Sequence, residues 1–145
     1  MTTEPSFVLL HLRLVGGLLG VLAFINLFVP GRYRWREEMA RLSLLNRQIF
    51  QAHNVFVILT IAHCSALLLT SADTLLEPNR LSRAVLVGLT LFWGLRMVMQ
   101  WLFYSPRIWR GHRFNTAMHC VFSVAWIYMT ATFATALWFN LSLVK

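Results

Sequence analysis

Apolar residues run along this chain in four long blocks, separated by short segments that carry most of the charge. The first block extends from Phe7 to Val29 and is closed by Pro30-Gly31. The others run from about Gln48 to Thr70, Arg83 to Tyr104 and Phe114 to Leu141. Each reaches the roughly 20 residues that an α-helix needs to cross the hydrocarbon core. None alternates with the period of two that a membrane β-strand requires. The pattern predicts an all-α integral membrane protein: one domain over residues 1–145, with spans at about 7–29, 48–70, 83–104 and 114–141, packed as an up-down four-helix bundle. Between the first two spans, Trp35, Met39 and Leu42 fall at i, i+4 and i+7, while Arg36, Glu37, Glu38 and Arg41 take other faces. That spacing predicts a short amphipathic helix at the membrane surface. The segment before the first block holds Glu4 and no lysine or arginine, and the block is long for a signal peptide, so it reads as a retained anchor.

Composition turns the pattern into a class. The chain is 58% hydrophobic and only 12% charged, about half the charge that a soluble domain carries. Its apolar side chains must face lipid. The net charge of +8 does not point to nucleic acid, because the arginines concentrate in Arg32–Arg47 and Arg107–Arg113, directly beside apolar runs. Charge placed there sets topology. Connection two offers only Arg80 and Arg83 against Asp73 and Glu77. Connections one and three are therefore expected in the cytoplasm and both termini on the other side, as in a bacterial inner membrane. Tyr33, Trp35, Trp101, Tyr104 and Trp109 fall at the inner edge and Trp138 at the outer, as interfacial aromatics do.

Small residues suggest one packing seam. Gly16 and Gly20 make a GxxxG pair in the first span, which lets helix backbones approach, within the chain or between copies of it.

Ionisable and amide side chains inside the spans are costly and ask for a reason. His11, Arg13 and His63 belong to the outer half, where Arg13 can snorkel to the headgroups. The inner half is richer. His53 lies six residues beyond Arg47 and His119 six beyond Arg113, which places both imidazoles roughly 9 Å from the same membrane edge. The third span brings Arg96 and Gln100 to that level, and Gln51, Asn54 and Asn115 add amides. Trp93, Arg96, Gln100 and Tyr104 fall on one side of their helix at 100° per residue, and His112, Asn115, His119 and Ser123 form a stripe on theirs. Arg96 is expected to point inward, within reach of Gln51, His53, Asn54 or Gln100.

Two functions from different classes fit these positions. In the first, the chain is a non-catalytic or electron-transfer subunit of a larger membrane complex, whose polar cluster is either a structural hydrogen-bonded network or, with His53 and His119 as axial ligands, the seat of a haem b. In the second, it is a small membrane enzyme or binding protein for an anionic amphiphile (a lipid, a quinone or a glutathione-type substrate), held by Arg96, Gln100 and His53 with Tyr104 alongside. Arg47, Ala52-His53-Asn54 and the third-span Arg96 with Tyr104, in a small four-span chain of high pI, resemble the glutathione-dependent membrane proteins of eicosanoid metabolism. The resemblance implies a glutathione-type substrate held near Arg96. The chain departs from that family in having no acid in its second span and, within the third, a single tyrosine (Tyr104) after Arg96. Membrane lipid, further membrane subunits or a second copy are the expected partners. All five acids, Glu4, Glu37, Glu38, Asp73 and Glu77, lie outside the spans, which disfavours metal hydrolysis and cation-coupled transport.

Overall fold

The computed structural model describes residues 5–143, so Glu4 and the two termini lie outside the described residues. Every regular element among them is helical: α1 (Pro5–Asn26), α2 (Val29–Arg32), α3 (Trp35–Ala40), α4 (Leu44–Thr70), α5 (Ala72–Leu76), α6 (Arg80–Leu102), a 3-10 turn (Pro106–Ile108) and α7 (Arg113–Ser142). Four of these, α1, α4, α6 and α7, are long and apolar enough to cross a membrane. The expected spans are therefore present, with shifted ends.

Each shift has a local cause. The first span stops at Asn26 rather than Val29, because Pro30 has no N–H to offer the Asn26 carbonyl. The Asn26 side chain turns back to donate to the Leu22 carbonyl at 2.8 Å. The second begins at Leu44, ahead of Gln48, where Ser43 caps it by accepting from the Asn46 N–H at 3.4 Å. The third begins at Arg80, where the Asn79 side-chain oxygen Oδ1 accepts from the Ser82 N–H at 2.8 Å. The helix expected around Trp35 and Met39 is present as α3, but it ends at Ala40 and leaves Leu42 in the following turn, exposed. Arg34, just before it, adopts a left-handed φ of 51°, and its guanidinium grips Glu37 at 2.8 and 3.0 Å, which holds the turn.

The helices group into two compact units. One holds the start of α1, through Leu12, with everything from Ala72 onward; the other is Arg13–Ser71. In the second unit the GxxxG seam packs α1 on α4. The Ser65 hydroxyl donates to the Gly16 carbonyl at 2.7 Å, a Cβ on Gly16 would come within 3.0 Å of Leu68, and one on Gly20 within 3.0 Å of the Ser65 oxygen. Gly17, between them, faces open space. Only the two glycines four apart carry the close approach.

In the first unit α6 and α7 pack along their length through Leu86, Leu89 and Trp93 on one side and Trp126, Met129, Phe133 and Ala136 on the other, all buried. At one end of this pair Asn140, fully buried, ties down the connection between α5 and α6. Its amide donates to the carbonyls of Leu75 (3.1 Å) and Glu77 (2.6 Å), and its oxygen accepts from Arg83 Nε at 3.2 Å. At the other end, Asn115 and Thr116 donate from the first turn of α7 to the carbonyls of Ile108 (2.9 Å) and Trp109 (2.7 Å). Gly111, at φ +84°, makes the turn into α7 that a side-chain-bearing residue would strain to adopt.

Candidate functional site

The polar residues of α6 and α7 converge on Gln100. Its position, one turn after Arg96 on α6, places its amide in the seam against α7, where it is 6% exposed. Three partners meet it. Arg96 Nη1 and Trp126 Nε1 each lie 3.3 Å from its oxygen, and its nitrogen lies 2.9 Å from His119 Nδ1. Guanidinium and indole N–H groups can only donate, so the amide oxygen must be the atom they share. The amide nitrogen is then the donor to His119 Nδ1. His119 accepts at Nδ1, and its neutral ring carries the proton on Nε2.

Aromatic faces complete the enclosure. The Arg96 guanidinium lies over the Trp126 ring at 4.9 Å and over Tyr104 at 5.8 Å, within cation–π range. Trp126 itself stacks with Trp93 and with Phe122, with ring centroids at 5.2 and 5.6 Å. His119 stacks flat on Trp109, 4.0 Å away and 7° from parallel. Nearby, Trp101 Nε1 donates to the Ser123 hydroxyl at 3.2 Å, a further tie between the two helices. The site is thus an arginine and a histidine held in place by one glutamine and three tryptophans.

Its charge is unbalanced. Neither α6 nor α7 contains an acid, and among the described residues no carboxylate pairs with Arg96. Apart from the single bond to Gln100, its N–H groups have no protein acceptor there. It is half-buried, so part of its cationic surface is open to a ligand.

Asn115 is committed to the Ile108 carbonyl, a structural tie. Gln51, His53 and Asn54 lie on α4, in the other compact unit. Gln51 and His53 are exposed and Asn54 half-buried. His53 Nδ1 lies 3.0 Å from the Ile49 carbonyl of its own helix; a carbonyl only accepts, so Nδ1 carries the proton and Nε2 the lone pair. The two histidines matched in depth by sequence therefore hold opposite tautomers. Helical phase had placed Trp126 on no polar face and gave no role to Asn140. An intramembrane asparagine with no polar residue three or four positions away was the available signal for the latter.

His11, expected in the outer half, makes a 2.7 Å hydrogen bond with the Tyr128 hydroxyl. Arg13 and His63 are exposed. Among the described residues no three His, Cys, Asp or Glu side chains gather as a metal site would require. Comparisons with known protein families, characterised proteins and solved structures return no match.

Proposed function

We propose that this chain is a multi-pass membrane protein, its four spans forming an up-down bundle, that binds the anionic headgroup of an amphiphile at Arg96. The observation that carries the reading is an intramembrane guanidinium, cradled by Trp126 and Tyr104, with one neutral partner and no acid. A cation in that setting is most stable with an anion beside it. A carboxylate or phosphate would pair with the open face of the Arg96 guanidinium, and the tryptophans would cover the adjoining apolar stem. The aromatic lining suits a lipid or quinone-type molecule entering sideways from the bilayer.

The orientation reading goes with it: connections one and three in the cytoplasm, α3 at the inner interface, both termini on the far side, in a bacterial inner membrane. A reporter active only in the cytoplasm, fused after Lys145, is then expected to be silent. Activity there would reverse the topology.

The haem reading, as a subunit of a larger complex, has a narrower footing. His53 holds the tautomer that an axial ligand needs. His119 does not, because iron requires the Nε2 lone pair that its proton occupies. Freeing it means turning the Gln100 amide over, which would point its NH2 at two obligate donors.

The direct test is retention of dodecyl phosphate by the detergent-purified protein in native mass spectra. The wild type is expected to keep the phosphate and to release dodecyl trimethylammonium. Arg96→Gln should weaken retention by about a hundredfold, the scale of a charge-assisted pair in a partly buried site. Arg107→Gln, at the exposed edge, should change it little. Equal loss in the two variants would reduce binding to general attraction of anions by a basic surface.

A further inference from the structure

A second site lies where the start of α1 meets the middle of α7. A cleft of about 140 Å³ opens there, lined mainly by Phe7, Val8, His11, Tyr128, Ala131 and Thr135. All of these belong to the first compact unit. Its volume matches the roughly 150 Å³ of an apolar cavity that accepts a benzene ring. Its walls are mostly apolar, with Phe7 packed on the His11 ring at 4.3 Å.

The polar part of the wall is the His11–Tyr128 pair, bonded through Nδ1 and the phenol oxygen at 2.7 Å. Two proton placements satisfy that bond. If the phenol donates, His11 Nε2–H remains a donor and the phenol oxygen keeps a lone pair. If Nδ1–H donates, the phenol keeps its proton to give and Nε2 accepts. Either way the pair has one donor and one acceptor left over, the complement of a hydroxyl group. The Thr135 hydroxyl, also on the wall, has no hydrogen-bond partner among the described residues. Along α7 the pair lies about 13 Å from the level of His119 at 1.5 Å per residue, and the cleft shares no lining residue with the Gln100 cluster, although Tyr128 follows Trp126 by two positions.

We infer that this cleft binds a single aromatic ring bearing a hydroxyl, with the ring among Phe7, Val8 and Ala131 and the hydroxyl on the His11–Tyr128 pair. A free phenol and the head of a membrane quinol share that chemistry.

Fluorine NMR of the detergent-purified protein, titrated with para-fluorophenol and with fluorobenzene, tests it. Partition into micelles is not saturable and is common to every variant, so only the saturable shift counts. Para-fluorophenol is expected to bind about tenfold tighter than fluorobenzene, the worth of one satisfied hydrogen bond. Tyr128→Phe should reduce that preference, since His11 alone remains to bond the hydroxyl, and the double change with His11→Phe should erase it and leave ring binding. Ala131→Leu, which fills the cleft from its lipid-exposed rim, should erase both, and it keeps the test sound if Tyr128→Phe fails to fold. Displacement of the probe by an alkyl-tailed hydroquinone assigns the site to membrane quinols, and displacement by untailed phenols alone assigns it to water-borne ones. No saturable shift, or equal affinity for the two probes, overturns the proposal.

Discussion

Gln100→Glu is expected to weaken anion binding at Arg96 by roughly a hundredfold while leaving the helix pair intact. The carboxylate would occupy the space of the amide and accept from the same two donors, Arg96 Nη1 and Trp126 Nε1. It would also supply the acid that the site lacks. Opposite charges about 4 Å apart are worth about 4 kcal/mol at an effective dielectric constant near 20. Arg96 is half-exposed, so screening reduces this, and a loss of roughly a hundredfold in affinity for dodecyl phosphate is the expected result. Gln100→Leu is the contrasting change. It strips the partner from His119 Nδ1 and from the Trp126 indole, and buried groups left bare cost about 1–3 kcal/mol each. That variant should lose stability, whereas Gln100→Glu should not.

The same substitution separates the two functional readings. With a carboxylate at position 100, His119 Nδ1 must donate, and its Nε2 becomes a lone pair. A histidine whose Nδ1–H rests on a carboxylate is a better metal ligand. Under the haem reading Gln100→Glu should therefore strengthen a haem spectrum in the dithionite-reduced protein, and under the anion reading it should only weaken phosphate retention. A variant that gains haem absorbance and keeps dodecyl phosphate would overturn the assignment made here.

How much of this was legible beforehand depends on what each signal encodes. Span existence follows from apolar length, which any window of sequence reveals; hence all four long helices were foreseen. Their ends were not, since Ser43, Asn79 and Pro30 act through single backbone hydrogen bonds that a hydropathy pattern averages away. Arg96 and Gln100 were found together because they are i and i+4 on one helix. His119 was placed with them by depth alone. Depth also paired it with His53, though the structure gives the two rings opposite tautomers, a property set by the acceptor beside each Nδ1. Trp126 reads as core by every sequence measure, and only coordinates show that its face supports Arg96 while its edge holds Gln100.

Asn140→Leu is expected to be the most damaging single change outside the site, lowering stability by about 3 kcal/mol. The residue is 0% exposed, so no solvent replaces what it provides. Its amide donates to the carbonyls of Leu75 and Glu77, at and just beyond the end of α5; the Glu77 carbonyl also receives the Asn79 N–H, so the Leu75 carbonyl depends on Asn140 most. Its oxygen receives Arg83 Nε. A leucine fills the volume but leaves the Leu75 carbonyl and a guanidinium nitrogen bare, at about 1–3 kcal/mol for each group that water cannot reach, while the Glu77 carbonyl keeps its bond from the Asn79 N–H at 2.8 Å. Hydrogen bonds between membrane helices average only about 0.6 kcal/mol when both ends can find other partners. The larger figure applies here because carbonyls in a fixed turn cannot rearrange. Asn79→Ala, in the same connection, is the comparison: it removes only the cap on Ser82 N–H and should cost about 1 kcal/mol. Unfolding both variants in mixed micelles by titration with sodium dodecyl sulfate measures the difference. Equal midpoints would mean that the connection between α5 and α6 holds its shape through Ser82, whose hydroxyl donates to the Thr74 carbonyl at 2.8 Å, and that Asn140 merely fits into it.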